Sequence, residues 1–273
     1  MKRIVLFFLL FQIVQFIPAA EKSRSYREQI DFIFTLSDKF TVNEIGTATY
    51  PGDEYKLYKV TYGNIQNENS RKYLFLSGVH GNETAPVYAM KEFMHYLDTA
   101  TLLPDIAIDF MYILNPYGFE YNTRHNGQGT DLNRDFIHFA TPETRSLMQS
   151  IQNTNYTGVY DFHEHSSTTG FMLYYYSRKN RAQVNSILSM LQSNDIPLEN
   201  NYVDVTLKAN GGAIYVPLYA KIYFMNFNRQ ATSGLYFDKI NVHEVFVFET
   251  PLAMEIETRK LIIILLLRYL VRA

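Results

Sequence analysis

Two residues able to hold a metal ion, His80 and Glu83, stand close together in the first third of the chain. The apolar residues 74–76 that precede them are typical of a strand covered on both faces. The following segment, 84–97, has the apolar spacing of a helix, so the pair lies at a strand-to-helix turn. Across one tight turn both side chains can reach a single point, which suits two of the three protein ligands of a catalytic zinc. The alternative is a surface histidine beside a glutamate that caps the helix start.

Two further apolar strands also end in residues that could join the same site. The strand at 158–163 ends in His163, with His165 shortly after it, and the strand at 245–248 is followed by Glu249. Strand ends are few, and these residue types are rare inside cores. Their occurrence along one edge of a predicted sheet is therefore more specific than any single motif.

A long irregular stretch, 120–139, follows another predicted strand at 106–114. It contains Arg124, Asn133 and Arg134 among several other polar residues. The planar guanidinium of arginine pairs with both oxygens of a carboxylate, so the stretch suits recognition of a carboxylate-bearing ligand. The alternative is a solvated loop with internal salt bridges, and the residues alone do not separate the two.

The alternation of strands and helices predicts a single α/β domain, with helices on both faces of a mixed, mostly parallel, twisted sheet. With 273 residues and a hydrophobic content of 47 %, the chain can bury a sizeable core without disulfides, which its lack of cysteine excludes. The net charge of −2, with no basic run, gives no support for nucleic-acid binding.

The start of the chain is typical of a secretory signal peptide. A basic start is followed by an apolar run at 4–17 and then by small residues. We therefore predict a signal peptide over residues 1–20 and a mature domain over residues 21–273, exported to the periplasm or secreted by a bacterium. The apolar runs at 4–17 and 261–267 are too short for a stable membrane span.

Most of the predicted mature chain resembles the M14 zinc carboxypeptidase family. The resemblance rests on four segments in the right order and spacing: Gly81-Asn82-Glu83 after His80; Asn115-Pro116-Tyr117-Gly118 through Arg124 to Asp131-Leu132-Asn133-Arg134-Asp135-Phe136; Asp161-Phe162-His163-Glu164; and Phe246-Val247-Phe248-Glu249. The short form looks closest to bacterial members that trim murein peptides.

The resemblance implies that residues 21–273 form a zinc peptidase catalytic domain with one catalytic zinc ion per chain. It implies three protein ligands for that ion: His80, Glu83 and His163. It implies that Glu249 is the general base that accepts a proton from the activated water. It also implies that Arg124 binds the substrate and stabilises the oxyanion formed from the scissile carbonyl. Asn133 and Arg134 would then hold the terminal carboxylate of the substrate.

Two assignments stay open. His165 could be the third ligand, but we favour His163 because it closes the apolar strand and stands in the Asp-Phe-His-Glu pattern. A tyrosine expected from the family 22 residues before the base falls on Phe227. Tyr223 or Tyr236 could take its place.

The predicted reaction is hydrolysis of the amide bond next to the free C-terminal carboxylate of a peptide, for example a peptidoglycan stem peptide. The first alternative is a zinc-dependent deacylase of small N-acyl amino acids, similar to aspartoacylases and desuccinylases. The second is a non-catalytic, zinc-stabilised binding module of the envelope, against which the predicted base, arginine and ligands argue. Both enzymatic hypotheses predict a peptide or amino-acid-derived substrate with a free carboxylate, and neither predicts an oligomeric state.

Overall fold

The computed structural model describes residues 21–101, 105–204, 207–227 and 229–272, so the predicted signal peptide lies outside the described residues. The helices are α1 Tyr26–Ile33, α2 Ala85–Thr99, α3 Pro116–Glu120, α4 Pro142–Ile151, α5 Arg181–Gln192, α6 Leu218–Ile222, α7 Ser233–Lys239 and α8 Ile256–Arg272. The strands are β1 Phe40–Tyr50, β2 Asp53–Tyr62, β3 Arg71–Leu76, β4 Ile106–Met111, β5 Gly158–His165, β6 Met172–Tyr175, β7 Val203–Asp204, β8 Leu207–Lys208, β9 Ala213–Tyr215 and β10 Glu244–Pro251. Short 3-10 turns at Leu132–Arg134 and Arg178–Asn180 and a π-helical turn at Tyr223–Phe227 complete the described elements.

Eight strands form one mixed sheet in the order β1-β2-β4-β3-β5-β10-β6-β9. The four central strands, β4, β3, β5 and β10, are all parallel to their neighbours among them. The hairpin β1–β2 extends the sheet on one side, and β6 pairs antiparallel with β10 on the other. Because strands β3, β5 and β10 are adjacent and parallel, their carboxyl ends meet at one edge of the sheet.

Helices cover both faces of this sheet, as the run of apolar residues in β3 predicts. Tyr73 and Phe75 join one core, which α1, α2, α5 and α8 cover. Leu74 and Leu76 point the other way and join a second core, with α4 and α7. The predicted α/β fold is therefore confirmed, including the mostly parallel character of the sheet.

Local structure departs from the sequence pattern at two places. The pattern of residues 21–40 predicts a helix, but within it only α1 is helical. Residues 115–119 predict a turn after β4, but they wind into helix α3, because Asn115 accepts a hydrogen bond from the Gly118 amide and Pro116 fills the first helical position. The segment 203–227 shows no clear periodicity, and its described residues form only short elements. None of the described helices is both long and apolar enough to cross a bilayer.

Candidate active site

The turn that carries His80 and Glu83 depends on two glycines. Gly78 has a φ of +63°, in the left-handed region that favours glycine. At Gly81, an added Cβ would lie 1.9 Å from the carbonyl carbon of Gly118, so no side chain fits between the turn and α3. The turn is therefore pressed against α3, and this contact holds His80 and Glu83 at the end of β3.

Strand β5 brings a second histidine to the same point. The Nδ1 atoms of His80 and His163 are 3.1 Å apart. His80 Nδ1 lies 2.6 Å from one carboxylate oxygen of Glu83, and His163 Nδ1 lies 2.8 Å from the other. One ligand atom from each of the three buried residues lies within 4.8 Å of the others. The three residues therefore form a possible metal site.

Each imidazole has a further carboxylate on its other ring nitrogen. His80 Nε2 lies 3.2 Å from Asp131 Oδ1, and His163 Nε2 lies 3.0 Å from Asp161 Oδ2. The Ser233 hydroxyl in turn donates a hydrogen bond to Asp161. Such outer carboxylates orient the imidazoles of metal sites, so both Nδ1 atoms face the centre of the cluster. Sequence analysis left Asp131 without a role and did not consider Ser233, although Asp131 stands in the segment that carries the resemblance.

Backbone and helix contacts fix Glu83 in place. The Glu164 amide donates a hydrogen bond to Glu83 Oε2 over 3.1 Å. The Glu164 side chain accepts from the Ala85 amide at the start of α2 and forms an ion pair with Arg259 of α8. Glu164 thus connects β5, α2 and α8 around the cluster, and its carboxylate is held by the Ala85 amide and Arg259.

The charges in this buried cluster are strongly coupled. Burial acts to raise the pKa of Glu83, but the positive charge of His80 and His163 outweighs it and holds that pKa well below its usual range. Burial acts to lower the pKa of His163, yet the Asp161 and Glu83 carboxylates hold it well above its usual value. Burial also acts to raise the pKa of Asp131, but the hydrogen bond to His80 and the charge of His80 outweigh it and keep that pKa low. The cluster thus stabilises positive charge at its centre, as a cation site must.

The donor set fits a catalytic divalent metal. Two imidazole nitrogens and one carboxylate are the protein ligands of one class of catalytic zinc site, in which a further position stays open. The Nδ1 atoms and the carboxylate oxygens converge, and the outer carboxylates that normally accompany metal-binding histidines are in place. The choice of zinc over another divalent ion remains a prediction.

A cavity of about 210 Å³ opens beside the cluster. Glu249 lines it from β10, where it pairs in register with His163. The Glu249 side chain is half-buried, and burial together with the nearby negative charge of Glu83 raises its pKa to about 7, against the opposing charge of the histidines. A carboxylate with such a pKa can both accept and release a proton near neutral pH.

The loop 120–139 contributes polar residues to the same cavity. Arg124 lies 3.2 Å from His80 Nδ1 through Nη1 and pairs with Asp131 through Nε at 3.0 Å. Asn133 accepts a hydrogen bond from the Ser233 amide, and Arg134 donates to the Asn133 carbonyl. All three predicted substrate residues line the cavity. The loop therefore contains an internal salt bridge and also faces the cavity, so it combines the two alternatives left open by its sequence.

The remaining alternatives from the sequence lie at the edge of the site. His165 lines the cavity, with its ring 4.7 Å from the Tyr202 ring, and is not part of the metal cluster found among the described residues. Phe227 is 76 % exposed and Tyr223 is 51 % exposed. Neither Tyr223 nor Tyr236 lines the cavity; the tyrosines that line it are Tyr174, Tyr176 and Tyr202. Sequence analysis did not identify these three as site residues.

Comparison with known families places this geometry in context. The model of the succinylglutamate desuccinylase/aspartoacylase catalytic domain matches residues 69–205, which include His80, Glu83 and His163. The chain belongs to this family and is an enzyme of the zinc carboxypeptidase-like superfamily. The expected superfamily is therefore confirmed. No curated protein matches the chain significantly.

Solved structures agree on the fold. A candidate metallopeptidase from Shewanella amazonensis SB2B is 17 % identical, with a TM-score of 0.74 and coverage of 90 % of this chain and 92 % of that one. A metallo-carboxypeptidase from Burkholderia cenocepacia is 12 % identical, with a TM-score of 0.71 over 91 % and 69 % of the two chains. Carboxypeptidase A from Helicoverpa armigera is 17 % identical, with a TM-score of 0.67 over 91 % and 73 %. At these identities the likeness shows a shared carboxypeptidase-like fold.

Proposed function

We propose that this protein is a zinc-dependent metallocarboxypeptidase that hydrolyses the amide bond next to the free C-terminal carboxylate of a peptide. The observation that carries the proposal is that the possible metal site, Glu249 and three polar residues of loop 120–139 surround one cavity. Amide hydrolysis at a chain end needs an activated carbonyl, a proton acceptor and a group that binds the free carboxylate. A peptidoglycan stem peptide is one substrate of this kind.

Three residues would hold the metal ion, one per chain: His80, Glu83 and His163. When bound, zinc would supply a Lewis acid that polarises the scissile carbonyl and makes water nucleophilic at neutral pH. Asp131 and Asp161 would keep both imidazoles oriented with Nδ1 toward the ligand position. The glycine turn against α3 would limit movement of the whole group.

Glu249 would act as the general base. Its carboxylate would accept a proton from the attacking water and return a proton to the leaving amine. The raised pKa of about 7 supports this role, because a base works best when its pKa lies near the operating pH. Its pairing with His163 across β5 and β10 supports it too, since the two side chains stand at the same level of the sheet.

The two arginines would divide the work of binding negative charge. Arg124 is the arginine nearer to the metal cluster and would stabilise the oxyanion that forms on the scissile carbonyl. Arg134 has no carboxylate at ion-pair distance among the described residues, and Asn133 stands directly beside it. These two residues would hold the terminal carboxylate of the substrate and so select the chain end.

A second candidate function is deacylation of small N-acyl amino acids. The family match supports it, because the matching catalytic domain takes its name from a desuccinylase and an aspartoacylase. The two candidates share the same chemistry, since an N-acyl amino acid is also an amide next to a free carboxylate. They differ only in what lies on the acyl side of the scissile bond.

We further propose that the enzyme is exported and acts in the periplasm or outside a bacterial cell. The layout of residues 1–20 supports this proposal. N-terminal sequencing of the protein recovered from each cell fraction tests it. A mature cytoplasmic chain that still begins at Met1 would contradict it.

The Glu249→Gln variant tests the catalytic proposal directly. We expect zinc content to stay the same and turnover of peptides and N-acyl amino acids to fall about 10²–10⁴-fold, the usual contribution of a general base. Glu255→Gln, at an exposed position six residues on, is the matched control and should keep full activity. Equal turnover in Glu249→Gln and the wild type would exclude Glu249 as the base.

A panel of matched substrates separates the two candidates. Peptides, the same peptides with a C-terminal amide, and N-acetyl amino acids are offered to the zinc-loaded protein. Faster turnover of free-carboxylate peptides supports the carboxypeptidase, and exclusive turnover of acyl amino acids supports the deacylase. Cleavage of the amidated peptides at an equal rate would contradict both.

A further inference from the structure

An apolar groove of about 380 Å³ runs along the surface beside the catalytic cavity. We call it the outer groove; it is lined chiefly by Leu207, Tyr219, Ile222, Tyr223, Phe224 and Phe227. Phe227 is 76 % exposed, Tyr219 58 % and Ile222 42 %. Apolar side chains that are exposed together in one patch indicate a binding surface, whereas isolated ones do not.

The outer groove is continuous with the catalytic cavity. Leu207 and Phe224 line both of them. Inside the cavity, Val216 and Val247 continue the apolar wall. Val247 stands two residues before Glu249 on β10, so both side chains are on the same face of the strand. One apolar surface therefore leads from the solvent to the position of the proposed base.

The length of this surface restricts what can cover it. The cavity itself measures about 210 Å³, which is less than the volume of the outer groove beside it. A group that starts at the scissile amide and also covers the outer groove must pass Leu207 and Phe224. An alkyl chain has both the length and the apolar character to do so.

The charges of the cavity also favour an apolar acyl group. Among the described lining residues, Arg124 and Arg134 are the arginines, and Asp131 already pairs with Arg124. Arg134 can hold one carboxylate, that of the amino acid. A second carboxylate, as in an acidic acyl group, would lack an arginine or lysine partner among the described residues that line the cavity.

We propose that the outer groove and the apolar wall of the cavity bind an alkyl chain, so that the substrate is an N-acyl amino acid with a long aliphatic acyl group. The inference rests on the second candidate function, the deacylase, and names the acyl group of its substrate. Water adds to the acyl carbon and the amide C–N bond breaks. The products are a fatty acid and the free amino acid, whose amine takes up the proton.

A chain-length series tests the proposal on the zinc-loaded full chain. N-acetyl-, N-hexanoyl- and N-decanoyl-leucine differ only in the number of methylenes on the acyl side. A buried methylene contributes about 0.8 kcal/mol, so kcat/KM should rise about three- to fourfold for each added methylene. We expect most of this rise to come from a lower KM, because the alkyl chain lies away from the reacting atoms.

Two surface variants locate the effect. Ile222→Ser and Phe227→Ser should each raise KM for N-decanoyl-leucine about tenfold and leave N-acetyl-leucine unchanged. Leu261→Ser and Phe34→Ser are matched controls, because these side chains are 50 % and 58 % exposed outside the groove. Both controls should behave as the wild type with every substrate.

Titration calorimetry measures binding of the same acyl amino acids without turnover, so it tests the groove separately from the catalytic proposal. If N-acetyl-leucine is cleaved but neither KM nor binding changes with chain length, the alkyl-chain proposal is overturned and the amide hydrolase stands. If no substrate is cleaved, yet N-decanoyl-leucine binds and both groove variants weaken that binding, the groove stands and the proposed function fails. Co-sedimentation with phosphatidylcholine–phosphatidylglycerol vesicles, lost in the groove variants and accompanied by a flat chain-length series, would make the patch a membrane contact and overturn the proposal.

Discussion

The metal cluster of His80, Glu83 and His163 lies at one side of the cavity, and the apolar and aromatic residues that line the rest of it form what we call the substrate wall. The two are built in different ways. The cluster lies at the ends of β3 and β5, with Glu249 beside it on β10, and these three strands are central, parallel and covered on both faces. The wall comes mainly from the described residues between 207 and 235, which form short elements with exposed aromatic side chains. The difference is typical of enzymes in which a rigid scaffold holds the reacting groups and variable segments select the substrate.

Ser233 is where the two regions are joined. Its hydroxyl donates to Asp161, which orients His163, and its amide donates to the side chain of Asn133. The first residue of α7 is therefore hydrogen-bonded both to the carboxylate beside a proposed metal ligand and to Asn133, which with Arg134 forms the proposed carboxylate clamp. Substitutions in the metal cluster should therefore affect metal binding, whereas substitutions in the clamp should affect substrate binding.

The largest effect should follow loss of a metal ligand. His163→Ala should lose most of its zinc, and turnover should fall by about 10³-fold or more, because the metal contributes several kcal/mol to catalysis. His165→Ala, two residues further along the same strand, should keep its zinc. Metal analysis of both dialysed proteins, followed by kinetics, makes the comparison. The opposite result, zinc lost only in His165→Ala, would move the third ligand to His165.

A smaller effect should follow loss of the clamp. Arg134→Ala should keep its zinc and lose about 10- to 100-fold in kcat/KM, the equivalent of about 1.5–3 kcal/mol for a charge-assisted hydrogen bond. Arg134→Lys should recover only part of the loss, because an ammonium lacks the planar fork of arginine. The decisive control is a substrate that ends in an amide. If Arg134→Ala lowers its cleavage by the same factor, Arg134 does not bind the carboxylate.

The contrast between the two regions also explains what the sequence could predict. The strand ends near His80, His163 and Glu249 can be predicted from the sequence, because buried parallel strands are continuous apolar runs. Parallel neighbours also place their carboxyl ends along one edge of the sheet. Of the two candidate histidines, His163 lies in the possible metal site, and His165 does not. The metal-binding role of His80, Glu83 and His163 remains a prediction.

The substrate wall could not be predicted because its elements are too short to show a period. Strand β9 has three residues and helix α6 has five, which is less than two helical turns. Tyr174, Tyr176 and Tyr202 line the cavity because of how separate segments pack, and no local pattern marks them. Ser233 is similar, because its two hydrogen bonds join it to residues 72 and 100 positions away. Helix α3 is different, since Asn115 and Pro116 are a recognisable helix start, although residues 115–119 also fit the pattern of a turn.

The junction itself gives a third prediction. Ser233→Ala should keep the hydrogen bond from the Ser233 backbone amide to Asn133. It should remove the hydrogen bond from the Ser233 hydroxyl to the buried Asp161. We expect zinc affinity to fall about tenfold, at the low end of the effect of losing an outer partner of a metal ligand. Ser186→Ala, at an exposed position of α5, is the matched control. If zinc affinity is unchanged and KM is raised, Ser233 acts on substrate binding and not on the metal site.

The smallest predicted effect concerns the attachment of loop 120–139 to α4. The Asp135 carboxylate accepts hydrogen bonds from the Ala140 and Thr141 amides and from the Thr141 and Thr144 hydroxyls. Burial acts to raise the pKa of Asp135, but these bonds, that of Thr144 foremost, hold it below its usual value. The ionised carboxylate therefore stabilises the folded state above the pH at which an unfolded aspartate titrates, and this contribution is lost as the pH falls through the lowered pKa.

Asp135→Asn should accordingly be less stable than the wild type at neutral pH, by about 1 kcal/mol, or a few degrees in Tm. The difference should shrink as the pH falls below about 4, because the unfolded aspartate takes up a proton there while the folded Asp135 is still ionised. Urea unfolding at a series of pH values measures it, with the exposed Glu257→Gln as a control that stays close to the wild type. A difference that is independent of pH would mean that the shape of the side chain, and not its charge, holds the loop to α4. Asn133 and Arg134 lie in this loop, so a pH-dependent loss would also identify the ionised Asp135 as part of what positions the clamp.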